Sequence, residues 1–533
     1  MRQSSLILFL AAAAVGGGLV RAQAPATAPA AAQAPGTTAR QAVDAAAAAL
    51  GGADRLRSLK NLTLIGYAQY AYQNGGGNIS ALPGAPQKFI AANDYRRVFD
   101  LEHSRMLHQE RRNDLFPFAN YAGHDFALQR QGLDGDVAYN INAQGQAGRG
   151  GDARDRRMWM HTNPVVAVRA ALDPANTLSN RRQEKGLTLV DVKLKEGDLL
   201  TIAIRPSSNL PAFVRWIGPQ VNLGEVIYTT GFFGYESFGG VELPMGYTTR
   251  FDWRPEVEQV KIYVDNYLVD SQIADLSAPP PGTQAGGGRG GGRGGANAPI
   301  EITPMARGIW RVTGGTMVIE FADHMTLFEV DGPPARIKQV IDAARKIIPA
   351  KPVTQVIVSH HHFDHSSGLR EAVAEGLTVI SRRDNGVIFR EMTERTAPNF
   401  PDDLAKSGKK LTFIPVDDHM TLKDATMTVE LYHVIANSHM ADALFAYVPE
   451  HKMMIEGDIA TAAEELQWWG DSWLDNIAYR KLDVQRNVPV HMTPMTRDEV
   501  EKMVKGGIDR VKQFCADHVA KGDYFPGCPV QVR

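Results

Sequence analysis

Val353-Thr354-Gln355-Val356-Ile357-Val358-Ser359-His360-His361-His362-Phe363-Asp364-His365 is the stretch on which the reading of this chain turns. Val353 to Val358 is a short buried strand, and it ends directly in the histidines. A strand end feeding a loop places alternate residues on one side. His360 and His362 can therefore converge on one metal while His361 points away, and Asp364 and His365 lie on the next turn, where they can face a second metal. Imidazole and carboxylate suit zinc and also iron. An expression tag sits at a terminus and does not carry Phe-Asp inside it, so the internal position argues for a metal loop.

Two metals need more ligands, and three later positions offer them. His439 follows Asn437-Ser438, just before a hairpin of Ala443–Val448 and Lys452–Glu456 around Pro449-Glu450-His451. Asp458 closes Ile455-Glu456-Gly457-Asp458, and His491 follows Val488-Pro489-Val490. All three are polar groups at strand ends, a common place for sites in layered α/β folds. The run His360-x-His362-x-Asp364-His365, followed in order by His439, Asp458 and His491, resembles the metallo-β-lactamase-fold hydrolase superfamily over about residues 300–533. The resemblance implies an αββα sandwich with the site at one edge. It implies His360, His362 and His439 on a first metal, Asp364, His365 and His491 on a second, and Asp458 bridging. The expected cofactors are two Zn2+, with iron or manganese as options.

That ligand set predicts a dinuclear hydrolase acting on a small-molecule substrate. Two metals held by these residues would lower the pKa of a shared water to about neutral, and the hydroxide so supplied would attack an ester, lactone, thioester or related carbonyl. Asp364 is the catalytic candidate, as a proton shuttle to the leaving group. Common zinc β-lactamases carry Cys where this chain has Asp458, so β-lactam hydrolysis is the runner-up. The mononuclear iron sulfur dioxygenases of the same fold are an alternative, which the His365–His491 pair opposes. A periplasmic ligand-binding protein with a vestigial site is another. The family's early strand-end Asp has no clean match; Glu329 is the nearest candidate and Asp331 the second. His433 is expected in a supporting or core role, and His324, His419 and His451 fit no ligand position. Trp468, Trp469 and Trp473 are placed equally well in a pocket wall or in loop packing, and Tyr479 and Lys481 are candidate substrate contacts.

Outward from the loop, residues 300–533 alternate strands and helices. Pro333 and Pro334 can open a helix, with Ile337, Val340, Ile341, Ala344 and Ile348 on one face. Thr496-Arg497-Asp498-Glu499 is a capping box for a terminal helix running to about Val519. A Pro/Gly-rich linker is expected at 276–299, and before it a mostly antiparallel β domain at 41–275. That domain opens with a helix near Ala42–Leu50, ended or interrupted by Gly51-Gly52, and continues in amphipathic strands such as Val190, Val192 and Leu194 alternating with Asp191 and Lys193. Its histidines at 103, 108, 124 and 161 lack ligand spacing. A helix followed by aromatic-rich strands is similar to the half-barrel domains of periplasmic lipoprotein-carrier proteins; a scaffold or dimerisation domain is the favoured role. The fold class is thus α+β, an αββα sandwich preceded by a β domain.

Residues 1–22 read as a signal peptide. Leu6–Val20 is apolar but shorter than the roughly 20 residues of a membrane span, and small residues follow to a cleavage site after Ala22. Residues 23–40 form an Ala/Pro-rich spacer. The expected location is therefore periplasmic or secreted, with no stable membrane anchor. Lys+Arg total 57 against Asp+Glu 59, a net charge of −2, which lacks the basic face expected of a nucleic-acid binder. Cys515 and Cys528 are the two cysteines; their pairing and the oligomeric state stay open.

Overall fold

In a computed structural model, the described residues are 38–114, 127–142, 144–255, 257–272, 278–280, 299–460 and 470–522. The signal-peptide expectation, most of both spacers, Trp468, Trp469 and Cys528 lie outside them. Ala39–Arg533 forms one compact unit. Its first part contains helices α1 (Ala39–Ala49), α2 (Ala53–Ser58), α3 (Ala153–Met160) and α4 (Pro164–Leu172). Strands β1–β13 run Asn61–Ala71, Phe89–Asp100, Arg105–Asp114, Ala127–Asp134, Val137–Ile141, Ala147–Arg149, Thr177–Glu184, Leu187–Lys193, Leu199–Ile204, Pro211–Gln220, Gly224–Phe238, Val241–Phe251 and Glu258–Val269.

These strands make one antiparallel sheet in the order β6-β5-β4-β3-β2-β1-β13-β12-β11-β10-β9-β8-β7. The mostly antiparallel β character expected for this region is what the structure has. α1 starts at Ala39, so Ala39 and Arg40, assigned to the spacer on composition, are helical; Ala42, Val43, Ala46 and Ala47 bury one face. Between β1 and β2 the chain leaves the sheet over residues 72–88. Gln73 and Asn74 there adopt φ of 46° and 57°, left-handed backbone that is costly for residues with a Cβ.

The second part is a sandwich. Strands β14–β20 (Ile302–Ala306, Ile309–Val312, Met317–Glu320, Met325–Phe328, Val353–Ile357, Thr378–Arg382, Thr412–Val416) form one sheet in chain order. Strands β21–β26 (His419–Lys423, Thr428–His433, Leu444–Val448, Met453–Glu456, Arg486–Pro489, Met495–Thr496) form the other. Helices α5 (Pro334–Ile347), α6 (Leu369–Glu375), α7 (Asn385–Glu394) and α8 (Asp403–Ser407) belong with the first sheet, and α9 (Ser472–Arg480) and α10 (Arg497–Ala520) with the second.

Strand alternation explains the layers. In β23, Leu444, Ala446 and Val448 point into the core between the sheets, while Phe445 and Tyr447 pack with Trp473, Val500 and Val504 of the outer helices. In β18, Ile357 faces the inter-sheet core and Val356 faces the α5–α7 side. α5 has Pro at its first turn, as expected, and α10 starts in the capping box Thr496–Glu499. Among the described residues no helix is long and apolar enough to cross a membrane.

The first sheet and the sandwich share a core. Trp253 and Phe363 belong to the same buried cluster, with ring centroids 5.4 Å apart. Polar bonds reinforce the contact. Trp253 Nε1 and Arg254 Nε both donate to Glu391 Oε2 at 2.7 Å, and Asn222 Nδ2 donates to the Phe363 carbonyl at 2.9 Å.

The first sheet also buries a charge network. Glu110 is fully buried, accepts from Tyr70 Oη at 2.6 Å and pairs with Arg112, with His108 Nε2 at 3.2 Å. Burial raises the Glu110 carboxyl, but its cationic and hydrogen-bonding neighbours outweigh that and hold it at about 2. Burial takes His108 below its ordinary value, so at neutral pH Arg112 is the cation that keeps Glu110 ionised. The folded value lies below the ordinary 4.5. The stabilisation is therefore complete above that pH and is lost as the pH falls through about 2. In urea titrations between pH 5 and 2.5, the wild-type midpoint is expected to fall more steeply than that of Glu110→Gln; parallel slopes would remove Glu110 from the acid sensitivity.

Candidate metal centre

The centre lies where strand ends of both sheets of the sandwich meet. β17 and β18 are parallel neighbours, as are β24 and β25, so their C-terminal ends open on one edge. Glu329 follows β17, His360–His365 follow β18, Asp458 follows β24 and His491 follows β25. His439 comes from the loop between β22 and β23. The His360–His365 loop turns tightly, with the His365 and Ser366 amides donating to the His362 carbonyl at 3.0 and 2.9 Å. The Leu444 amide donates to the Ser359 carbonyl at 2.8 Å and ties the loop to the opposite sheet. Gly457 lets Asp458 approach, since a Cβ there would lie 2.6 Å from Ser359 Oγ.

Every candidate ligand read from the sequence comes to this edge. His360, His362, His439 and Asp458 offer ligand atoms within 4.8 Å of one another, and so do Asp364, His365 and His491. Asp458 faces both groups. Its Oδ2 is 3.1 Å from His439 Nε2, 3.2 Å from His365 Nε2 and 3.8 Å from His360 Nε2. Its Oδ1 is 3.3 Å from His491 Nε2. Tetrahedral sites with bonds of about 2.0–2.1 Å have donor–donor edges of roughly 3.3 Å, so this spacing fits shared metal coordination. His365 Nε2 and His491 Nε2 approach to 2.8 Å, two nitrogens aimed at one point.

Unpartnered donors fit the same reading. His360 Nε2 and His362 Nδ1 are buried without a hydrogen-bond partner among the described residues. His362 Nε2 lies 2.9 Å from the Asn78 carbonyl, which accepts its N–H and leaves Nδ1 as a lone pair, the ligand tautomer. His360 Nδ1 is 2.8 Å from Ser359 Oγ, leaving Nε2 for a metal. Burial, then neighbouring histidines, holds His360 and His362 well below their ordinary values, so both are neutral. Burial opposes charge on His365 and His491 too, but Asp458 and other nearby carboxylates outweigh it and raise both. The same imidazoles hold Asp458 well below its ordinary range against burial. The carboxylates here demand positive charge, which protons or a metal can supply.

Glu329 fills the supporting place that the sequence left uncertain. It is fully buried, its Oε1 accepts from the Ser359 amide at 3.2 Å and lies 3.4 Å from His365 Nδ1. Its φ of 74° is left-handed, a strained backbone held by its surroundings. Asp331 is further out, 3.9 Å from His491 Nδ1. His361 stays out of both ligand groups and lies 3.0 Å from the Asn78 carbonyl. His433 Nε2 is 2.8 Å from the Ala441 carbonyl. Trp473 is fully buried and donates to Asn487 Oδ1, a packing role. Tyr479 is exposed.

Sequence reasoning missed the contribution of the first sheet. Gln73 Nε2 donates to Asp364 Oδ1 at 2.8 Å, and Gln73 Oε1 accepts from the Phe363 amide at 2.8 Å. Lys88 Nζ donates to the His439 carbonyl at 2.5 Å; burial lowers it to about 8, with Asp458 and Asp364 partly offsetting. Ser80 Oγ donates to Asp442 Oδ2 at 2.6 Å. The segment over 72–88 therefore packs directly on the metal loop. The one local hint is Gly75-Gly76-Gly77. A Cβ at Gly76 would lie 2.2 Å from the Phe363 ring, so glycine permits the approach.

Residues 326–491 match the family model described as the metallo-beta-lactamase superfamily. Among solved structures, a metallo-beta-lactamase from Pontibacter korlensis is 13% identical, covering 40% of this chain and 100% of that one, at a TM-score of 0.32. The metallo-beta-lactamase FIM-1 from Pseudomonas aeruginosa, in its mono-zinc form, is 15% identical over 40% of this chain and 96% of that one, at 0.31. One from Hirschia baltica is 16% identical over 39% and 98%, also at 0.31. No curated protein matches the chain in sequence. The C-terminal part of this chain is a metallo-β-lactamase-fold domain.

Gly76→Ala is expected to cost about 1–3 kcal/mol by overpacking and to lower retained metal. Paired with Phe363→Ala, its cost in urea unfolding should fall below the sum of the single costs. Strict additivity would show that Gly76 and Phe363 do not press on one another.

Proposed function

We propose that this chain is an exported, dinuclear zinc hydrolase of small esters, lactones or thioesters. The observation that carries the proposal is Asp458, which touches both groups: its Oδ2 lies beside His439 of the first and His365 of the second, and its Oδ1 beside His491 of the second. A site meant for one ion has no need of the complete second group Asp364, His365 and His491. Aspartate rather than cysteine at 458 favours ester-type carbonyls over β-lactams. The export assignment rests on the reading of residues 1–22 as a signal peptide.

A bound metal pair would supply Lewis acidity and water of lowered pKa. The chain's residues do the rest. His360, His362 and His439 would hold the first ion, and Asp364, His365 and His491 the second. Ser359, Asn78 and Glu329 orient the rings of His360, His362 and His365, the kind of support that tunes ligand basicity. Gln73 fixes Asp364 through Oδ1 and turns Oδ2 toward His491 Nε2 at 3.5 Å; that oxygen would serve the second ion and, when released from it, would be the one to carry a proton to the leaving group.

Elemental mass spectrometry of the purified protein should find close to two zinc per chain. Asp458→Asn should lose metal and lower kcat/KM roughly 100-fold or more, since even outer-shell changes cost 10–100-fold. Close to one iron per chain would instead move the assignment to oxygen-dependent thiol chemistry. Asp364→Asn retaining metal and full activity would end the proton-shuttle role.

A further inference from the structure

The loop that carries His491 is held from the opposite sheet. β25 ends at Pro489 and β26 begins at Met495, so residues 490–494 belong to neither strand. The Val490 amide still donates to the Glu456 carbonyl at 3.0 Å. One side chain gathers the carbonyls around it. Arg311, on β15, donates from Nη2 to the Met492 carbonyl at 2.7 Å, to Val490 at 3.3 Å and to Pro489 at 3.4 Å. These three carbonyls bracket His491.

The turn after Arg311 presses on the same loop. Gly315, between β15 and β16, has a φ of 110°, and a Cβ on it would lie 2.5 Å from the Val490 carbonyl oxygen. Glycine lets the hairpin come that close. Thr316 follows, and its Oγ1 donates to the Glu329 carbonyl at 3.3 Å. The Glu329 carboxylate in turn lies 3.4 Å from His365 Nδ1. Residues 311–316 therefore reach the supports of both histidines of the second group.

His491 depends on such a hold more than its neighbours do. Ser359 orients the ring of His360, Asn78 that of His362, and Glu329 stands beside His365. His491 Nδ1 is 3.9 Å from Asp331 Oδ2, too far for a hydrogen bond. Its ring is therefore placed chiefly through its backbone, and Arg311 fixes that backbone on both sides.

We propose that Arg311 is a positioning residue for the second ion. Through the carbonyls of 489, 490 and 492 it sets where His491 Nε2 meets His365 Nε2 and Asp458. The inference rests on the dinuclear reading. Segment 72–88 reaches the first group through Asn78 and Lys88, and Asp364 through Gln73. The β15–β16 hairpin reaches the two histidines of the second. The ions should therefore come apart by mutation.

The test is metal binding by the full chain with Co2+ as probe, followed by visible absorption and chelator competition. Wild type should take up close to two equivalents. Arg311→Met, which keeps an apolar stem and removes every donor, should weaken one equivalent by about 100-fold and leave the other within about twofold, since orienting partners of metal ligands are worth roughly 10–100-fold in affinity. Arg311→Lys, a cation on a shorter stem, should weaken the same equivalent by about tenfold. The spectrum of the one-equivalent form of Arg311→Met should match that of His491→Ala, the signature of an ion confined to the first group. A merely structural defect loosens both equivalents together. Parallel loss of the two, or a second equivalent bound as tightly as in wild type, would overturn the proposal. Arg311→Lys carries the same comparison where Arg311→Met fails to fold. A single equivalent in wild type would end the dinuclear reading and this inference with it, whereas two in wild type and in both variants would end the inference alone.

Discussion

A single buried carboxylate sets the terms for the sandwich's edge. Asp458 lies 3.1–3.3 Å from His439, His365 and His491, and a charge in that position is unfavourable unless it is compensated. Compensation requires loops from both sheets to end at the same place. It also requires those loops to be tied, which the Glu329 carboxylate, the Ser359 hydroxyl and the Leu444–Ser359 backbone bond do. Removing one partner would leave the others buried and unmatched, so the centre is a cooperative unit rather than a set of independent ligands.

The first sheet belongs to that unit. The Asn78 carbonyl fixes a ring tautomer, Gln73 holds Asp364 and the metal-loop backbone, and Lys88 holds the backbone of His439. Phe363 sits inside the aspartate–histidine motif yet packs on Trp253 of the other part. The motif thus has two faces: its imidazoles and carboxylates turn toward the metal edge while its one aromatic residue is buried in the shared core.

Much of the centre was legible because its signal is local. Spacing in 360–365 is a property of one loop, and the polar residues at 458 and 491 each follow a recognisable apolar strand, whereas His439 stands in a loop after Asn437-Ser438. The layer order followed from alternation, as in Leu444, Ala446 and Val448 against Phe445 and Tyr447. What was not legible acts at a distance. Gln73 meets Asp364 across 291 positions of chain, and no local pattern marks a glutamine for that role. Glu329 was ambiguous because its use depends on a left-handed backbone, which side-chain identity does not announce. Composition around 276–299 marks a linker, but the buried Trp253–Phe363 contact and the Glu391 and Asn222 bonds that join the parts on either side of it have no compositional signature.

The bond between the His362 ring and the Asn78 carbonyl spans 284 positions, and that has a consequence for how the molecule is made. Chains emerge from the ribosome amino end first, and contacts between distant segments pay a loop-closure cost before they contribute. The segment over 72–88 is synthesised long before the histidine it orients, and the His491 strand end comes later still. The sheet's own hydrogen-bond ladder can form early; the metal edge is completed only when the last sandwich strands arrive. Ion capture would therefore be a late event in the life of each molecule, since a chain halted before β25 lacks His491 and with it a complete second group.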